Sequence, residues 1–267
     1  MVSSFDADTE VSAAGPDRWT ANVTDRWDIG VPNGGYVLCV ALAAVREALQ
    51  RPHPLTVTAH YLSPCAHGDA SIDVTVLKQG RSVSTASAVL AQGGRARVAV
   101  LATYGDLRAQ SGPTLVTGAP PVLPPPDACG FVGDRPAWIG ERPAIADRVD
   151  FRPSPASAQA LAARGAPAHL EGWIRLADGR EPDTDCLPLL VDTAPPAVFA
   201  VMATGWVPTL ELTVHVRAVP APGWLRASIS TRVIVDGLME EECELWDDDD
   251  RLVAMSRQLA RILPPPT

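Results

Sequence analysis

Two kinds of apolar spacing alternate along the chain. "YVLCVALAAVREAL", residues 36–49, carries apolar side chains on every side of a helical wheel, which predicts a buried helix of 14 residues. The runs after it, "LTVTAHYL", "ASIDVTVLKQG", "SVSTASAVLAQGG" and "RARVAVLATY", alternate apolar and polar positions and are separated by Gly-containing turns. Alternation with β-branched residues predicts antiparallel strands. "DRWTANV" predicts a strand before the helix, and "WDIGVPNGGY" a turn-rich loop.

The same order returns in the second half. "HLEGWIRLADG" predicts a strand and "LPLLVDTAPPAVFAVMA" an apolar helix. "LELTVHVRAV", "LRASISTRVIVDG", "MEEECELWDDDD" and "RLVAMSRQLARIL" predict four more strands. A shift of 155 residues aligns the halves without a gap from Leu55 to Thr103, placing Thr58 on Thr213, His60 on His215 and Gly68 on Gly223. The shared order and apolar phase, more than the few identities, point to an internal duplication. Between the halves, residues 108–167 are rich in Pro, Ala and Gly. They are expected to form a connector that resists regular structure, with a short strand inside "IADRVDFRP". The expected organisation is therefore 1–107, connector 108–167, and 168–267. The fold class is α+β: two tandem repeats, each a long apolar helix wrapped by an antiparallel sheet, paired so that neither exposes an edge and a face.

Charge narrows the function classes. Formal net charge is −9 and the single lysine is Lys78. Such a chain, with no basic cluster, is not expected to bind nucleic acid. The longest apolar run, "YVLCVALAAV", has 10 residues, too short to span a bilayer, so no membrane insertion is expected. Five widely spaced cysteines with no CxxC suggest neither a zinc site nor a disulfide framework, and a cytoplasmic location. No metal and no cofactor are expected.

The residues "PNGGY" before the first helix, "VDTAPPAVF", "GWVPTLELTVHVRAVPAPGWLR" and "EECELWDDDDRLVAMSRQLA", together with the two-fold order, resemble the thioesterase-like family related to bacterial acyl-CoA thioesterase II. That resemblance implies a double hotdog fold, an acyl-CoA substrate and a homo-oligomer. It also implies a catalytic Asp, hydroxyl and Gln in the second repeat, which fall on Asp192, Thr209 and Gln258. Pro195 and Pro196 depart from the family pattern and suggest that Asp192 lies at or just before a helix N-terminus.

The chemistry fits a thioester. There is no GxSxG elbow, so the economical route is direct attack by water, which a carboxylate orients and deprotonates while a hydroxyl and an amide hold it. The 155-residue shift maps Gln258 to Thr103 and, extended beyond its gap-free range, Asp192 to Val37 and Thr209 to Pro54. Asn33, Gly34, Gly35 and Tyr36 are expected to bind substrate, through main-chain N–H groups left free at a helix start. Arg81, Arg217 and Arg226 are possible phosphate contacts for the nucleotide. Plainer roles stand beside these. Asp192 is also a fair helix cap, "NGG" an ordinary turn, Thr209 and Gln258 ordinary strand residues, and "WDDDD" a hairpin turn and not a metal site. His60 and His215 suit a shared structural role on their strands. Two rivals remain: a non-catalytic acyl-binding protein, and a hotdog hydratase or dehydratase, which would need a histidine with an acidic partner near a helix start.

Overall fold

The computed structural model describes residues 3–131 and 142–265. Residues 132–141 of the expected connector lie outside the described residues. The first half contains α1 (Ser4–Asp8), β1 (Ser12–Gly15), β2 (Arg18–Val23), α2 (Gly34–Leu49), β3 (His53–Tyr61), β4 (Gly68–Gln79), β5 (Val83–Gln92) and β6 (Arg95–Gly105). After the connector come β7 (Val149–Pro153), α3 (Pro155–Ala163), β8 (His169–Leu176), α4 (Leu187–Leu190), β9 (Thr209–Val216), β10 (Leu225–Val235), β11 (Leu238–Trp246) and β12 (Leu252–Arg261). Every strand predicted from alternation is present. The described strands form one 12-stranded sheet in the order β1-β2-β4-β5-β6-β3-β9-β12-β11-β10-β8-β7. Each half of that order wraps its own helical segment, which is the expected double hotdog.

The halves join through β3 and β9, which run antiparallel. Thr58 pairs with Thr213, Thr56 with His215 and His60 with Glu211. The last two pairs exchange under the 155-residue shift, so a pseudo-two-fold axis passes between Thr58 and Thr213. Their hydroxyl oxygens are 2.9 Å apart. His60 and His215 are exposed at related positions on this seam.

The registers correct the shift at one place. Ala88 pairs with Val100 in the first half, and its counterpart Cys243 pairs with Ser256 in the second. The 155-residue offset therefore becomes 156 in the last strand, because the β11–β12 turn is one residue longer. That turn is the "DDDD" segment, where buried Asp247 accepts from the Ala221, Asp249 and Arg251 amides and pairs with the Arg251 guanidinium. Gln258 thus corresponds to Ala102, not Thr103.

Three local outcomes differ from expectation. The connector contains helix α3, started by Ser154, whose Oγ accepts from the Ser157 amide, with Pro155 in the first turn and an Ala-rich run behind it. The first apolar helix forms as predicted, 16 residues long and buried on nearly all sides. The second does not. Its α-helix stops at Leu190, and a 3-10 turn resumes at Ala197–Ala200. Pro195 and Pro196 lack the N–H groups that would bond the carbonyls of Val191 and Asp192, and their rings would clash with those carbonyls. No described helix is long and apolar enough to cross a membrane.

Candidate active site

Breaking the second helix leaves Asp192 just beyond the C-terminal end of α4, its N–H donating to the Leu189 carbonyl at 3.0 Å. This corrects the expectation that it begins a helix. It instead caps the helix of the other half. Asn33 is the N-cap of α2, with its Oδ1 accepting from the Tyr36 amide at 3.0 Å. The Gly35 N–H in that first turn donates to the Asp192 carboxylate at 2.7 Å. Asn33 Nδ2 donates to the same carboxylate at 3.3 Å and to the Asp192 main-chain oxygen at 3.1 Å. That main-chain oxygen is one Pro196 cannot serve. Burial raises the Asp192 carboxyl from its ordinary 3.8 to about 7, and the Gly35 and Asn33 donors offset only part of that rise.

Gly35 permits this meeting. A Cβ there would lie 2.9 Å from Asp192 Cβ and 3.0 Å from Leu189 Cα. Its N–H is engaged by Asp192 and is not free for substrate. Asn33 and Gly34 line the cavity described below. Tyr36 does not. It is buried in the first-half core, stacked on Trp27 and donating through its hydroxyl to the Asp8 carbonyl, so the expectation that it contacts substrate is corrected.

Thr209 and Gln258 do meet. They lie on adjacent strands, and Thr209 Oγ1 donates to Gln258 Oε1 at 2.7 Å. Gln258 Nε2 donates in turn to Glu241 Oε1 at 2.8 Å. The other Glu241 oxygen accepts from the Ala197 amide at 2.6 Å. Glu241 was not among the expected site residues. Burial raises its carboxyl to about 7 against the pull of the Ala197 and Gln258 donors, and the Asp192 charge adds to the rise. The signal for it was strand parity: Met239, Glu241, Cys243 and Leu245 share the inward face of β11.

Asp192, Thr209, Glu241 and Gln258 all line one cavity of about 1270 Å³ between the halves. Val149, Phe151, Ile229, Met239 and Ala260 supply apolar wall, and Tyr61 reaches in from β3. No histidine lines it among the described residues, and His67, which meets the Asp28 carboxylate at 2.9 Å before α2, lies outside its wall. Arg81, Arg217 and Arg226 are not in its wall. Arg226 is held by Asp250 and lies over the Trp173 ring. Arg142 is in the wall, paired with Asp147.

The duplication shows what the fold itself requires here. Glu241 pairs with Gln258 across β11 and β12, and the equivalent first-half pair is Ala86 with Ala102. Thr209 corresponds to Pro54. Three positions that are Pro, Ala and Ala in one half carry a hydroxyl, a carboxyl and an amide in the other. Ala260 corresponds to Tyr104, which is buried and donates to the Leu42 carbonyl at 3.2 Å. Space that Tyr104 fills in the first half is left open in the second.

Residues 23–105 match the model of the acyl-CoA thioesterase N-terminal domain, and residues 125–262 that of the acyl-CoA thioesterase C-terminal domain. A crystal structure named as a candidate thioesterase II from Thermobifida fusca YX is 33% identical, covers 97% of each chain and superposes with a TM-score of 0.88. Uncharacterized proteins of Mycobacterium tuberculosis and Mycobacterium bovis are 30% identical over 261 residues, covering 90% of this chain and 89% of theirs. An acyl-CoA thioesterase II, TesB2, from Mycobacterium marinum shares the fold at 19% identity, with a TM-score of 0.76 over 98% of each chain. With both domain models matched in order on the two halves of the sheet, the chain belongs to the acyl-CoA thioesterase family.

Proposed function

We propose that the protein hydrolyses acyl-CoA thioesters to the free acid and coenzyme A by direct attack of water. The observation that carries this reading is that Asp192, Thr209 and Gln258 line one largely apolar cavity, with Thr209 and Gln258 at positions that are Pro54 and Ala102 in the first half. Asp192 takes a proton as the water oxygen bonds to the thioester carbon, and Thr209 and Gln258 hold that water. The tetrahedral intermediate then collapses. The carbon–sulfur bond breaks, and the proton held by Asp192 returns to the departing thiolate. A carboxyl titrating near 7 suits both steps. The acyl chain lies along the wall of Val149, Ile229, Met239 and Ala260.

Turnover across an acyl-CoA length series, followed by release of free thiol, tests the reading. Asp192→Asn keeps an acceptor for the Gly35 N–H but cannot take the proton. Its kcat is expected to fall by roughly 10²-fold or more. Wild-type protein that binds acyl-CoA without releasing thiol would instead identify a non-catalytic acyl-binding protein.

A further inference from the structure

We propose that Glu241 is a positioning residue that sets the direction of the hydrogen bonds through Gln258 to Thr209, so that Thr209 receives a hydrogen bond from the attacking water. This rests on the hydrolase reading and deepens it. An ionised carboxylate only accepts hydrogen bonds, whereas an amide presents either a donor or an acceptor. Glu241 is 5% exposed, with one oxygen on the Ala197 amide and the other on Gln258 Nε2 at 2.8 Å. Once Glu241 is ionised, above its raised pKa of about 7, Gln258 turns its Nε2 toward that carboxylate and its Oε1 toward Thr209. Thr209 then spends its only proton on Oε1, at 2.7 Å. What its oxygen offers the cavity is lone pairs. Asp192 likewise offers only acceptor oxygen. A water between them donates both protons, and its own lone pair is left to face the thioester carbon. The Ala86–Ala102 pair at the equivalent register shows that the strand pairing needs no such chain of polar groups.

The test is a reversal and its rescue. In Glu241→Gln the introduced amide oxygen still accepts from the Ala197 N–H, but its NH₂ faces Gln258. Gln258 then turns over and donates to Thr209, whose proton is released into the cavity. The expected result is a kcat loss of roughly 10- to 100-fold, as for removal of other outer supporting partners, with KM for acyl-CoA and the unfolding temperature little changed. Adding Gln258→Glu to Glu241→Gln restores an acceptor for Thr209, and the double variant is expected to regain at least half of the lost activity on a logarithmic scale. Equal turnover in wild type and Glu241→Gln, or no rescue by the exchange, overturns the proposal and leaves the hydrolase reading standing if Asp192→Asn is inactive. A second readout does not need turnover. The Gln258 side-chain amide proton facing Glu241 is expected to resonate downfield in ¹⁵N–¹H spectra, and to lose that shift in Glu241→Gln. If the shift is present in a protein that hydrolyses no acyl-CoA, the hydrolase reading fails while the assigned direction of the bonds stands. If the shift is absent, the assignment fails whatever the turnover.

Discussion

Asp192 and Glu241 set two carboxyl groups against one cavity, each raised to about 7 chiefly by burial, with the charge of Asp192 raising Glu241 further. Groups that influence one another lose their protons in steps that belong to the pair. As the proposed base, Asp192 works only when ionised. kcat/KM is therefore expected to rise with pH through about 7 and to level off above it, measured between pH 5 and 9. Stability moves the other way. An unfolded aspartate titrates near 3.8. Between about 4 and 7 the folded state holds a proton that the unfolded chain has lost, so this group's contribution is full below 4 and falls as pH rises through 7. The difference in unfolding temperature, Asp192→Asn minus wild type, is expected to increase from pH 5 to pH 8. A constant difference would mean that Asp192 is not raised. The sequence alone made Asp192, Thr209 and Gln258 visible through their family resemblance. Glu241 stayed hidden because it sits among four glutamates in "MEEECELW", and composition there suggests a solvated strand, although alternation turns this one inward.

At the scale of elements, the same ancestral position is a 16-residue helix in one half and an interrupted one in the other. The apolar pattern of "LPLLVDTAPPAVFAVMA" argues for helix. Pattern reports which residues are buried, not whether the backbone can close its hydrogen bonds, and two adjacent prolines decide the second question. The interruption turns the Asp192 main-chain oxygen toward Asn33 and its carboxylate toward Gly35. The neighbouring strand shows a matching asymmetry, Tyr104 against Ala260. Ala260→Phe is expected to refill space that the second half leaves open. Turnover of the longest acyl chains should fall first, with short chains little affected. Excluding two methylenes would raise KM roughly tenfold at about 0.8 kcal/mol per CH₂. Uniform loss across the length series would place the acyl chain elsewhere in the cavity.

At the scale of the molecule, two of the contacts between the halves bear on the site: the β3–β9 seam, and the place where the start of α2 abuts the end of α4. The coincidence of Thr58 with Thr213 and His60 with His215 under one shift pointed to the duplication, but not to β3 and β9 as the seam, because equivalence between repeats does not say which edges pair. The one-residue insertion before the last strand was not legible either, because alternation is read strand by strand and a turn can lengthen without changing it. The helix contact is the more demanding of the two, since it carries Asp192 from one half to the Gly35 amide of the other. A methyl at Gly35 would meet Leu189 Cα and the Pro188 oxygen at 3.0 Å, both main chain, as well as Asp192 Cβ at 2.9 Å. Main chain yields less readily than a flexible side chain, so α4 must move off as a unit. Gly35→Ala is therefore expected to cost about 1–3 kcal/mol of stability, read by denaturant unfolding, and to lower kcat by more than that loss of folded protein explains. Gly34→Ala is the informative comparison. Its methyl would meet the Tyr61 ring and hydroxyl at 3.0–3.1 Å, a side chain that can rotate aside, so its effect on stability should be the smaller. If the two alanines behave alike, the approach of the two helices does not hold Asp192 in place.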